Sequence, residues 1–123
     1  MTISGAISTI DARKPNVFTN VDKILWLSQL DGQIYEEIMK THEDCPSDPF
    51  LGYDEDTDQS KELLAKAPYD NLYISWLESR IDYANGEYAK YNNSNTTFTA
   101  ELQAYRNHYN RTHMPVEKRF RYF

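Results

Sequence analysis

Ala67-Pro68-Tyr69-Asp70-Asn71-Leu72-Tyr73-Ile74-Ser75-Trp76-Leu77-Glu78-Ser79-Arg80-Ile81-Asp82-Tyr83-Ala84-Asn85-Gly86-Glu87-Tyr88-Ala89-Lys90-Tyr91-Asn92-Asn93-Ser94 decides the fold. Apolar residues at Ile74, Leu77, Ile81, Ala84, Tyr88 and Tyr91 recur at steps of three and four, which places them on one stripe of an α-helix. A second stripe runs beside it through Tyr69, Tyr73, Trp76 and Tyr83. Together they make an apolar face wider than one neighbouring helix covers in a small bundle. The surplus faces either the chain's own core or another subunit. Tyrosine suits the second role, because it buries a rigid ring while its hydroxyl reaches a polar rim. Tyr73, Trp76 and Tyr83 are therefore the candidate subunit-interface residues.

Working outward, Pro68 suits the first position of this helix, where its missing N–H is no loss, and Asp70 complements the positive end of the dipole. The spacing predicts a long third helix from Pro68 to about Lys90, about 34 Å in length. Asn92-Asn93-Ser94 reads as a polar break. Ser94 or Asn95 then caps a fourth helix with the stripe Phe98, Leu102, Tyr105 and Tyr109, ending before Pro115. Toward the N-terminus, Thr2 or Ser4 caps a short helix through about Asp11, with Ile3, Ala6, Ile7 and Ile10 on one face; Pro15 and Asn16 end it. Thr19 followed by Asp22 resembles a capping box and opens a second helix to about Thr41, with Ile24, Leu27, Leu30, Ile34 and Ile38 as its buried stripe. Asp31-Gly32 inside that helix costs near 1 kcal/mol of propensity and permits close helix approach. His42 to Lys66 reads as a long connection, with a strand or hairpin arm around Phe50-Leu51-Gly52-Tyr53 and a helical turn at Ser60 to Leu64.

The expected fold class is all-α: a small helical bundle with a long third helix, a long middle loop and an extended C-terminal tail. Residues 1–115 form a single helical domain and 116–123 the tail. The chain of 123 residues is long enough for a real core without a staple. Its single cysteine, Cys45, excludes an intramolecular disulfide and fits a reducing compartment. The start of the sequence carries no basic segment followed by an apolar run, and no window approaches the roughly 20 apolar residues that span a bilayer. A formal net charge of −6 disfavours direct DNA binding, which needs clustered Lys and Arg. The charge is uneven. Acidic residues crowd the middle (Glu43, Asp44, Asp48, Asp54, Glu55, Asp56, Asp58), whereas Arg111, Lys118, Arg119 and Arg121 at the end face only Glu117.

The chemistry-bearing residues form no recognised constellation. His42 and Cys45 lack the second ligand pair of a structural zinc site, and His108 and His113 are five apart, a spacing that helical geometry converges less readily than four. Asp54-Glu55-Asp56-Thr57-Asp58 mimics the opening of a calcium loop, but Gln59 stands where the turn glycine belongs and Ala65 where the twelfth-position Glu belongs. It reads as a solvated acidic loop. There is no phosphate-cradling Gly-rich loop and no Gly-x-Ser-x-Gly, and Cys45 has no nucleophile signature around it. The expectation is a non-enzymatic protein with no cofactor and no metal. Asn92-Asn93-Ser94, Asn95-Thr96-Thr97 and Asn110-Arg111-Thr112 match the glycosylation sequon and read as turn and capping residues.

Trp26-Leu27-Ser28-Gln29-Leu30-Asp31-Gly32, Phe50-Leu51-Gly52-Tyr53-Asp54, Ala67-Pro68-Tyr69-Asp70, Tyr88-Ala89-Lys90-Tyr91-Asn92-Asn93-Ser94 and Tyr109-Asn110-Arg111-Thr112-His113-Met114-Pro115 together resemble the head-tail connector proteins of long-tailed double-stranded DNA phages and prophages of Gram-positive bacteria. The resemblance covers nearly the whole chain in separate blocks. It implies a mostly helical adaptor, without catalytic residues, that forms a ring of typically twelve copies on the portal protein. Such a ring meets a tail-side connector or stopper and continues the channel through which DNA passes without specific binding. It also implies location in the virion after assembly in the host cytoplasm. A channel of carboxylates that repel phosphate lets a duplex slide, which suits an acidic chain. The competing classes are another head- or tail-completion protein, a small helical module that binds a peptide or helix, and an enzyme with a dispersed site. The tail Lys118-Arg119-Phe120-Arg121-Tyr122-Phe123 interleaves three cations with three aromatics and is the candidate partner-docking segment, its alternative being to fold back over its own helices.

Overall fold

The computed structural model describes residues 1–42 and 49–113 and is all-α: α1 (Ile3–Arg13), α2 (Asn20–Glu37), α3 (Asn71–Ala84) and α4 (Tyr88–Thr112), with a single 3-10 turn at Met39–Thr41. Strands are absent among these residues; an isolated antiparallel bridge pairs Thr2 with Glu62.

The first two helices begin where their caps dictate. Thr2 accepts a hydrogen bond from the Gly5 N–H, and Ile3, Ala6, Ile7 and Ile10 are all buried. At Thr19 the capping box is complete: the Asp22 N–H donates to Thr19 Oγ1 at 3.2 Å, and the Thr19 N–H donates to Asp22 Oδ2 at 3.4 Å. Ile24, Leu27, Leu30, Ile34 and Ile38 are buried as the spacing requires. The α-helix closes at Glu37, short of Thr41, and the chain tightens into the 3-10 turn. Gly32 admits the Phe50 ring, 3.6 Å from where its Cβ would stand, so the close approach is by a loop side chain and not by a helix.

The segment from Pro49 is irregular. Phe50-Leu51-Gly52-Tyr53 forms no strand: Gly52 has φ +87°, and the Tyr53 N–H donates to Ser28 Oγ at 2.9 Å. No turn of helix forms at Ser60 to Leu64: a tight turn closes with the Lys61 N–H donating to the Asp58 carbonyl at 3.0 Å, and the chain then lies beside the start of α1, where the Ile3 N–H donates to the Lys61 carbonyl at 3.1 Å and the Leu63 N–H to the Met1 carbonyl at 3.0 Å. Pro68 lies in the turn preceding α3, which starts at Asn71.

The largest departure from the sequence expectation is at the end of α3. The helix stops at Ala84, not Lys90, in a Schellman arrangement: Gly86 adopts φ +75°, its N–H donates to the Tyr83 carbonyl at 3.1 Å, and the Glu87 N–H donates to the Asp82 carbonyl at 3.0 Å. The long helix is therefore the fourth, 25 residues or about 37 Å. Asn92-Asn93-Ser94 is not a break but lies inside α4. Asn92 and Asn93 are exposed there, Ser94 Oγ donates to Asp82 Oδ2 at 3.0 Å, and Thr96, Thr97 and Thr99 turn their hydroxyls back onto the backbone carbonyls of Asn92, Asn93 and Asn95. The contacts of Ser75 with Glu101, Trp76 with Phe98 and Asp82 with Ser94 run in opposite order along the two helices, so α3 and α4 form an antiparallel hairpin. One hydrophobic core joins residues of all four helices with Tyr53, Leu63 and Ala65 of the connection.

Candidate interaction surface

The three candidate interface residues separate in the fold. Tyr73 is fully buried in the chain's own core, where its hydroxyl accepts from the Ala65 N–H at 2.7 Å and donates to Asp31 Oδ1 at 2.6 Å. With no exposed surface it offers a neighbour nothing, and its assignment as an interface residue is corrected on that ground. Trp76 is half-buried; its indole N–H donates to the Trp26 carbonyl at 2.8 Å and its ring meets Phe98 at 5.1 Å. Tyr83 is 55% exposed. The docking tail, from Lys118 to Phe123, lies outside the described residues, as do Glu43, Asp44 and Cys45.

Around Trp76 and Tyr83 the hairpin builds a larger surface than the sequence suggested. Trp76, Arg80 and Tyr83 follow one another at steps of four and three on α3, and Tyr88 and Tyr91 at a step of three on α4. The Arg80 guanidinium lies 4.5 Å from the centre of the Trp76 ring, 5.5 Å from Tyr91 and 5.7 Å from Tyr83. Tyr83 meets Tyr91 and Tyr88 edge-on at 5.2 and 5.8 Å, and Tyr88 is 61% exposed. Through Trp76 the surface continues to Trp26 and Phe18, whose rings pack at 5.4 Å, with Val21 and Leu25 exposed on the adjacent turn of α2. Arginine stacked on aromatic faces and surrounded by tyrosine is the residue mixture that dominates protein interfaces. Arg80, Tyr88 and Tyr91 were the members missed in the sequence. The signal was Asn85-Gly86, which marks the turn that folds Tyr88 and Tyr91 back toward α3.

Asp31, Asp54, Asp58 and the three histidines are engaged within the fold. Asp31 is fully buried and accepts from the Tyr53 hydroxyl at 2.5 Å, the Tyr73 hydroxyl at 2.6 Å and the Leu64 N–H at 3.1 Å. Burial pushes its carboxyl above the usual aspartate range against the pull of these donors, and burial beside Asp31 likewise pushes the Tyr53 and Tyr73 hydroxyls up. Asp31, Tyr53 and Tyr73 form a buried node. It ties α2, α3 and the connection together. In the acidic turn, Asp54 Oδ1 accepts from the Asp56 N–H and Asp58 Oδ1 from the Ser60 N–H, both at 2.9 Å, which makes these carboxylates turn-formers. The ring nitrogens of His42 face the Ile38 carbonyl at 2.5 Å and Asn110 Oδ1 at 2.8 Å. His108 packs on Tyr69 and His113 stacks on Tyr109, so the helix does not bring this pair to one point. Among the described residues no group of three His, Cys, Asp or Glu side chains is placed to hold a metal ion, and no helix is long and apolar enough to cross a membrane.

Comparison with protein-family models, with curated proteins and with solved structures gave no match to this chain.

Proposed function

We propose that this protein is a structural assembly component, a head-tail connector that forms a ring on a phage portal and extends the DNA channel toward the tail. The observation that carries the assembly reading is the aromatic surface at the α3–α4 tip, where Tyr83 and Tyr88 expose most of their rings around a stacked arginine. A closed ring joins two different faces of each subunit, and this surface supplies one of them. The acidic balance of the chain suits a conduit that repels the phosphates of a passing duplex. The specific identity as a connector comes from the sequence blocks that resemble that family.

The test is to mix purified protein with portal-bearing, tail-less heads and with heads lacking portal. A ring seen by electron microscopy on the portal vertex alone is the expected result. Failure to bind either particle sinks the connector assignment, and equal binding to both sinks the portal as its partner.

A further inference from the structure

The aromatic tip and the acidic turn lie at opposite ends of α1. At its start, the Ser4 N–H donates to the Gln59 carbonyl at 2.8 Å and the Ile3 N–H to the Lys61 carbonyl at 3.1 Å, which holds the turn 54–60 there. At its end, Arg13 faces Glu78 at 3.6 Å and Lys14 pairs with Asp82, which holds the second half of α3 there. The 11 residues of α1 span about 16 Å. The tip and the turn therefore do not meet within one chain, but two chains arranged head to tail bring them together.

Their chemistry is complementary. Arg80 has no carboxylate within ion-pair distance among the described residues; its Nη2 donates to the Tyr91 hydroxyl at 3.4 Å, and its Nε is buried. Stacking on Trp76 occupies the face of the guanidinium and Tyr91 takes one Nη2 donor, which leaves the other terminal N–H groups to match a carboxylate. In the turn, Asp54 and Asp58 are spent on local hydrogen bonds, while the Glu55 and Asp56 side chains are exposed and enter no ion pair among the described residues. A chain with net charge −6 repels its own copies unless opposite charges are brought face to face. We propose that the Arg80 surface of one copy receives the Glu55-Asp56 turn of a second copy, with Tyr83 and Tyr88 as the apolar rim. Such a contact leaves a free tip and a free turn on every pair and propagates into a ring or filament. The inference deepens the assembly reading above and rests on it.

The experiment compares the full chain, Arg80→Glu, the double variant Glu55→Lys/Asp56→Lys, and an equimolar mixture of the two variants. Sedimentation velocity reads association in free solution, and electron microscopy reads ring formation on portal-bearing heads. Each variant alone is expected to lose at least tenfold in association. The mixture is expected to recover it, because the reversed tip of one then meets the reversed turn of the other. Circular dichroism checks the fold, and the turn variant touches no packed side chain. Association that neither variant changes, or a mixture that fails to recover, overturns this contact while leaving the assembly reading intact. A wild-type chain that neither self-associates nor assembles on the portal overturns both.

Discussion

Tyr73 and Asp31, 42 residues apart in sequence, share a hydrogen bond of 2.6 Å in the centre of the protein, and the same tyrosine oxygen accepts the buried Ala65 N–H. One hydroxyl thus joins α3 to α2 and to the connection. Tyr73→Phe leaves the ring in place but strands the Ala65 donor and removes one donor from Asp31. The expected cost is about 2 kcal/mol, measured by urea unfolding. A loss below about 0.5 kcal/mol would show that the node is not a tie.

The burial of Asp31 has a pH signature. Its carboxyl is raised above the ordinary value of 3.8, so the native state binds this proton more tightly than the unfolded state. That contribution is full below the unfolded value and is lost as pH rises through the higher native one. The stability difference between the wild type and Asp31→Asn should accordingly narrow as pH climbs out of the acid range. A gap that widens instead would mean that the three donors outweigh desolvation.

Lys23 buries its stem and extends its ammonium to Asp11 Oδ1 at 2.6 Å and the Phe18 carbonyl at 3.1 Å. Asp11→Ala removes the counter-charge from a buried cation, whereas Lys23→Met keeps the stem and removes the charge itself. The first should destabilise more than the second, by roughly 1–3 kcal/mol. Asp11, held below the usual carboxylate range by the Lys23 hydrogen bond, contributes stability above the ordinary value that is lost as pH falls. Equal thermal stability of the two variants would argue against the pairing.

At Gly86 a Cβ would meet no atom within 4 Å, so Gly86→Ala isolates the backbone effect of φ +75°. A loss of about 1 kcal/mol is expected, with unchanged helix content by circular dichroism. A neutral substitution would mean that the α3–α4 turn is not held in this conformation.

Trp76 and Tyr83, treated alike from the sequence, should behave differently. Trp76→Ala removes packing against Phe98 and a hydrogen bond to Trp26, and should cost about 3 kcal/mol of folding stability. Tyr83→Ala should change stability by less than about 0.5 kcal/mol yet weaken assembly on the portal. Assembly that tolerates Tyr83→Ala would remove this tyrosine from the interface.

Legible in the sequence were the all-α class, the start of α1 to within Thr2 or Ser4, the start of α2 at Thr19, the buried stripes of α1 and α2, and Phe98, Tyr105 and Tyr109 of the α4 stripe. These depend on neighbours within a few residues, where cap chemistry and a period of 3.6 are sufficient information. It misplaced the α3–α4 turn because apolar steps of three and four run unbroken through Ala84, Tyr88 and Tyr91, while Asn92-Asn93-Ser94 looks more polar than Asn85-Gly86. Contacts between distant residues choose between them. Ser94 finds Asp82 across the hairpin, so a polar stretch is stable inside a helix, and Gly86 supplies the left-handed conformation that closes α3. The sorting of the tyrosines is equally tertiary. A helical stripe shows which side chains share a face but not what covers it: Asp31 and Ala65 draw Tyr73 into the core, and the early turn leaves Tyr83 and Tyr88 at the surface around Arg80.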